Sequence, residues 1–99
     1  MYVRIAQFEA PASEWDDRIA EVRRRMQSGE NAEMRQLVTR SMMLVDREGG
    51  RGAGLFFCEA EDDLRKVDEL LDNATPPPGG GKRTSVQMYE VAVDSENPS

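Results

Sequence analysis

Apolar and polar positions alternate along residues 2–8. Val3, Ile5 and Gln7 fall on one side of an extended chain, with Tyr2, Arg4, Ala6 and Phe8 on the other. That period of two predicts a first strand, ended by Pro11. The period then changes, because Trp15, Ile19, Val22 and Met26 recur at i, i+4, i+7 and i+11, one stripe of an amphipathic helix. Ser13 has the chemistry of an N-cap, Glu14, Asp16 and Asp17 suit the first turn, and Gly29 suits the stop. Residues 30–34 read as linker. Gln36–Val45 reads as a long second strand, with Leu37, Met43 and Val45 against Val38, Met42 and Leu44. Asp46 to Gly52 is a polar, Gly-rich hairpin turn, and Gly54–Glu59 a third strand, again apolar on both sides. Glu61, Asp62 and Asp63 open a second helix with the stripe Leu64, Val67, Leu70 and Leu71. The Pro- and Gly-rich run at 75–81 is an exposed connection, Thr84–Val93 a last strand, and 94–99 a polar, fraying tail.

Strand–helix–strand occurs twice, joined by a hairpin. The fold class is therefore α+β: a ferredoxin-like βαββαβ protomer, a four-stranded antiparallel sheet with two helices on one face, in a single domain spanning 1–93. A sheet wet on one face alternates cleanly, and the second and third strands do not. Leaving such side chains in water forgoes ~1.5–3 kcal/mol each. With no third helix in this reading, the expected cover is a second copy, a homodimer closed through the sheet face.

Composition narrows the partners. A net charge of −6 over 99 residues argues against nucleic acid, which needs a basic surface. The run Arg23–Arg25 fans around its helix and has acids four residues ahead, Glu21 before Arg25 and Glu14 before Arg18, so it reads as a solvated face. Cys58, the single cysteine, allows no internal disulfide and reads as a small buried apolar residue. No run approaches the ~20 apolar residues that cross a bilayer, and no basic-then-apolar leader is present, so the expectation is a soluble, cytoplasmic protein without a membrane partner.

The order of elements, the segment FFCEAEDDLRKVDELL and the closing SVQMYEVAV resemble the dimeric α/β-barrel superfamily, in its antibiotic-biosynthesis-monooxygenase-like branch. The resemblance covers about residues 1–93. It implies two ferredoxin-like protomers whose sheets close into a barrel, with a cavity between sheet and helices or at the sheet interface. It also implies a cofactor-independent monooxygenase-like enzyme acting on an aromatic or polyketide-like substrate. The alternative is a non-catalytic homodimer that binds a small apolar or aromatic ligand, or serves as an accessory protein. A Trp, a Ser and a His often seen in this branch fall on Cys58, Ala60 and Val67, and the chain has no histidine. The haem-degrading kind that uses that His as axial ligand is therefore not implied, and no cofactor is expected.

Four polar residues are candidates for contact with substrate or ligand. Arg4, flanked by Tyr2 and Ala6 on a central strand, suits a carboxylate or phenolate, or pairs with Glu90 on the last strand, which buried charges favour. Tyr89 can donate inside a cavity, or pack against a local partner. Arg40 stands beside Val38 and Met42, facing a pocket or a partner protomer. Gln7 sits where the haem-degrading relatives carry an Asn. The two lines of reasoning disagree on which face lines the cavity: packing sets Val3 and Ile5 against the helices and leaves Arg4 on the other side, whereas the resemblance puts Gln7 in the cavity. GGGKRTS fails the phosphate-loop spacing, and the acids at 59–63 lack that of a calcium loop, so no metal is expected.

Overall fold

A computed structural model describes residues 1–29, 32–73 and 82–96, with side chains for 1–29, 32–71 and 85–96. The strands are β1 (Tyr2–Glu9), β2 (Arg40–Asp46), β3 (Arg51–Cys58) and β4 (Lys82–Glu90). The helices are α1 (Trp15–Ser28), α2 (Ala32–Leu37) and α3 (Glu61–Asn73). The strands form one antiparallel sheet in the order β2-β3-β1-β4. The architecture is α+β and compatible with a ferredoxin-like fold. Among the described residues, no helix is long and apolar enough to cross a membrane. The proposed connection at 75–81 and the last residues of the tail, 97–99, lie outside the described residues.

Several boundaries differ from the sequence reading. Residues 32–37, read as linker and strand, form α2, because Met34, Leu37 and Val38 then share one side and pack against the buried cluster Cys58, Leu64 and Val67. Ser13 caps nothing: it lies in a 3-10 turn, Ala12–Glu14, and α1 begins at Trp15 behind Glu14 with no side-chain cap bond. Gly29 does end α1, in the left-handed region at φ 76° that glycine adopts without steric cost. The last strand stops at Glu90, although the Val91 N–H still donates to the Met1 carbonyl at 2.9 Å.

The helix-covered face carries Tyr2, Arg4, Ala6 and Phe8 of β1. Register places Tyr2 beside Cys58, Arg4 beside Phe56, Ala6 beside Gly54 and Phe8 beside Gly52. This overturns the expectation from packing that Val3 and Ile5 meet the helices. The physical reason is room: small residues at 6, 52 and 54 let helices approach closely. Trp15, the first residue of α1, brings the Cη2–Cζ3 edge of its indole against Gly52 and is buried. Arg18 stacks on its ring at 5.5 Å rather than pairing with Glu14. Arg47 in the hairpin turn reaches Asp16 at 2.8 Å, tying the hairpin to α1.

A methyl group at position 52 would stand 2.6 Å from the indole and 2.9 Å from the Leu44 carbonyl oxygen. Gly52→Ala is therefore expected to destabilise the fold by about 1–3 kcal/mol, as overpacking does. Thermal melting checks this, and an unchanged midpoint would mean that Trp15 does not lie on the hairpin.

Along α1, Glu21 holds Arg24 at 2.8 Å and Arg25 at 3.1 Å. The Arg24 hydrogen bonds first, then that of Arg25, bring the Glu21 carboxyl down to about 2. Two arginines of the run, Arg24 and Arg25, are thus paired on the helix surface.

Candidate functional site

The uncovered face belongs to the other set of side chains. Reading across the sheet from β2 to β4, register aligns four rows. The first is Arg40–Phe57–Val3–Tyr89, the second Met42–Leu55–Ile5–Gln87, the third Leu44–Ala53–Gln7–Ser85. The fourth is Asp46–Arg51–Glu9, completed by position 82, a lysine. Arg4 (bonded to Asp68), Tyr2, Phe56 and Cys58 (packed with α3) and Gly52 (against Trp15) all belong to the opposite face. The middle of the uncovered face is thus apolar. Leu44 is 49 % and Tyr89 50 % exposed, while Ile5, Met42, Leu55 and Phe57 are half-buried and Val3 is buried.

At the hairpin end of this face lies a shallow depression of about 380 Å³, bordered by Gln7, Glu9, Leu44, Asp46, Arg51 and Ala53. Leu44, Ala53 and Gln7 of the third row line it together with the charged fourth row, and Phe8, Val45 and Gly52 complete the lining. The rim is charged. Asp46 accepts from Arg51 Nη2 at 2.8 Å and from the Gly49 N–H at 3.0 Å, which close the hairpin around one carboxylate. The Arg51 hydrogen bond, then that from Gly49, keeps the Asp46 carboxyl below its usual range, and Asp46 in turn raises Arg51. This rim was missed by sequence reasoning, which took 46–52 only as a turn. The alternation of Asp46, Arg51 and Glu9 becomes visible once strand register is known.

The four candidates divide between the two faces. Arg4 is almost wholly enclosed beneath α3, with its Nε donating to Asp68 Oδ1 at 2.8 Å. The expected partner Glu90 stands instead opposite Tyr2 and is exposed, two pairs beyond the Arg4–Met88 position. Helix α3 brings a carboxylate directly over Arg4, so the shorter path wins. Gln7, Arg40 and Tyr89 share the uncovered face. They do not converge on one point. Gln7 and Tyr89 lie two rows apart, about 13 Å along the strands at ~3.3 Å per residue. Arg40 and Tyr89 stand at opposite edges of the same row. The Tyr89 hydroxyl donates to Gln87 Oε1 at 3.0 Å, a local partner.

Cys58 is fully buried, and burial pushes its thiol upward, away from the reactive thiolate. Among the described residues, no group of three acid, His or Cys side chains is arranged to hold a metal ion. Compared with known proteins, the chain matches no family model and no curated protein.

Proposed function

We propose that this chain works as a homodimer closed through the uncovered face of its sheet, as in a dimeric α/β barrel, and holds a small apolar or aromatic molecule there. One observation carries the reading. The rows centred on Leu55–Ile5 and Phe57–Val3 form a continuous apolar strip on the face opposite the recorded helix contacts, flanked by the exposed Leu44 and Tyr89. The depression beside Gln7 gives such a molecule apolar lining residues and one amide for orientation. Binding without chemistry is favoured because Arg4 lies on the far face and Gln7, Arg40 and Tyr89 are spread apart, whereas a reaction needs converging polar groups.

A second reading draws on Gln7 lying at the depression, the position that the monooxygenase-like resemblance singles out. An activated aromatic or polyketide-like substrate reacting with oxygen needs little beyond a shaped pocket. Oxygen uptake with such a substrate separates the two readings.

Native mass spectrometry of the protein as purified is the test. The expected result is a dimer of the 11.1 kDa chain carrying reproducible extra mass. Leu44→Asp, at a half-exposed position that the protomer's own core does not need, is expected to give a folded monomer. A wild-type monomer overturns the reading.

A further inference from the structure

We propose that the two protomers meet about a two-fold axis running along the strands, so that Arg51 of each faces the partner's Glu9. This rests on the homodimer reading and adds the register of the contact.

An isologous contact pairs one patch with itself, and for two stacked sheets the two-fold lies in the plane between them. Aligned sheets keep their strand directions within about 30°, so the axis runs close to the strands or close to perpendicular to them. The charged row at the hairpin end distinguishes these arrangements. Read across β2, β3 and β1, it is Asp46, Arg51, Glu9: negative, positive, negative, with a lysine at the β4 position. An axis along the strands lays each row over itself in reverse order, β3 over the partner's β1. Arg51 then meets the partner's Glu9, and Glu9 the partner's Arg51, two bridges for one symmetry operation. The same reversal sets Leu55 over the partner's Ile5 and Phe57 over the partner's Val3. It also brings Arg40 to the ring of the partner's Tyr89, a cation–π pair.

An axis across the strands reverses the rows instead. Arg40 would then meet the partner's Asp46, but Arg51 would press on the partner's Phe57 and Glu9 on the partner's Val3, so two charges of each protomer are set against an apolar surface for the one pair gained. Charge complementarity therefore selects the first arrangement. Sheets stack about 10 Å apart, a gap that an arginine and a glutamate side chain bridge together.

The depression is incomplete in one protomer. Its lining residue Ala53 falls under the partner's Gln7, and its rim is closed by the Arg51 to partner Glu9 bridges. The enclosed space is apolar in the middle, has an amide from each copy, and is fenced by ion pairs. It suits a small apolar or aromatic molecule with a carbonyl or hydroxyl group that an amide can bond.

The test uses two full-length variants, Arg51→Glu and Glu9→Arg, each alone and mixed, followed by native mass spectrometry beside the wild type. In either homodimer like charges meet twice. In the heterodimer opposite charges meet at both contacts, one the native Arg51–Glu9 pair and the other that pair with its signs exchanged. The expected result is a heterodimer about tenfold or more in excess of each homodimer, in line with couplings of close charge pairs at interfaces. Repulsion inside a protomer is the same in every pairing and does not affect this ratio. If a charge reversal unfolds the chain, the neutral variants Arg51→Gln and Glu9→Gln carry the same test, since their heterodimer keeps one intact bridge and their homodimers none. A dimeric wild type with statistical mixing of the variants overturns this register and leaves the homodimer reading standing. A monomeric wild type removes both.

Discussion

Asp68→Ala is expected to destabilise the protein by roughly 2–4 kcal/mol, read as a lower urea midpoint at unchanged slope. Its carboxylate is about a quarter exposed, whereas the Arg4 side chain that it meets is only 3 % exposed. Removing the carboxylate leaves a guanidinium charge beneath α3 that water reaches poorly. Removing the cation is expected to cost less: with Arg4→Met the Asp68 carboxylate turns toward solvent, and the flexible thioether refills much of the space left by the arginine stem. The double variant Arg4→Met/Asp68→Ala is expected to recover most of the loss of Asp68→Ala, since a buried pair replaced as a whole is often close to neutral. Three melts decide it. If Arg4→Met costs more than Asp68→Ala, Arg4 works through something other than this pair. The ligand binding proposed for the uncovered face should survive Arg4→Met, because the residue lies on the other side of the sheet.

Leu64→Ala is expected to cost about 2–5 kcal/mol and to lower the thermal midpoint by ~10–20 °C. Leu64 is 1 % exposed and packs with Cys58 and Val67, themselves fully enclosed, while Tyr2, Met34, Leu37, Phe56 and Leu71 ring the cluster. Among the described residues few side chains are enclosed so completely, so the cavity is not shared with a wide core around it. The contrast is Met26→Ala on α1, whose side chain is 49 % exposed and whose removal should stay within ~0.5 kcal/mol. A Leu64→Ala midpoint close to that of Met26→Ala would show that the α3 cluster does not anchor the fold.

The strands and the two longer helices were legible in the sequence because each repeats its period long enough to declare it. Leu64, Val67 and Leu71 mark α3, and β1 alternates from Tyr2 onward. Helix α2 was hidden. It is six residues long, and Leu37 and Val38 extend the alternation of β2 as readily as they complete a helical turn with Met34. Which face of the sheet is covered was not legible from apolar residues, since both sets contain them. The available signal was negative space: Ala6, Gly52 and Gly54 fall on one set, and only there can a helix or an indole come close. The Arg4–Asp68 bond joins residues 64 apart, so no local pattern announces it. Gln7, Arg40 and Tyr89 were recognised as polar residues on strands, but their separation and the charged rim beyond them emerge only from register.

The Trp15–Gly52 contact makes the protein its own optical instrument. Trp15 is the single tryptophan, and it sits at the joint between α1 and the β2–β3 hairpin rather than in the Leu64 cluster. Its indole N–H is buried and meets no hydrogen-bond acceptor among the described residues, and its ring lies under a guanidinium. Emission from such a ring reports the docking of α1 on the hairpin and is silent on α3. Far-ultraviolet circular dichroism, dominated by the helices, follows whether they persist. Recorded together during unfolding, the two signals separate loss of the α1 joint from loss of the α3 core, with no label attached to the chain.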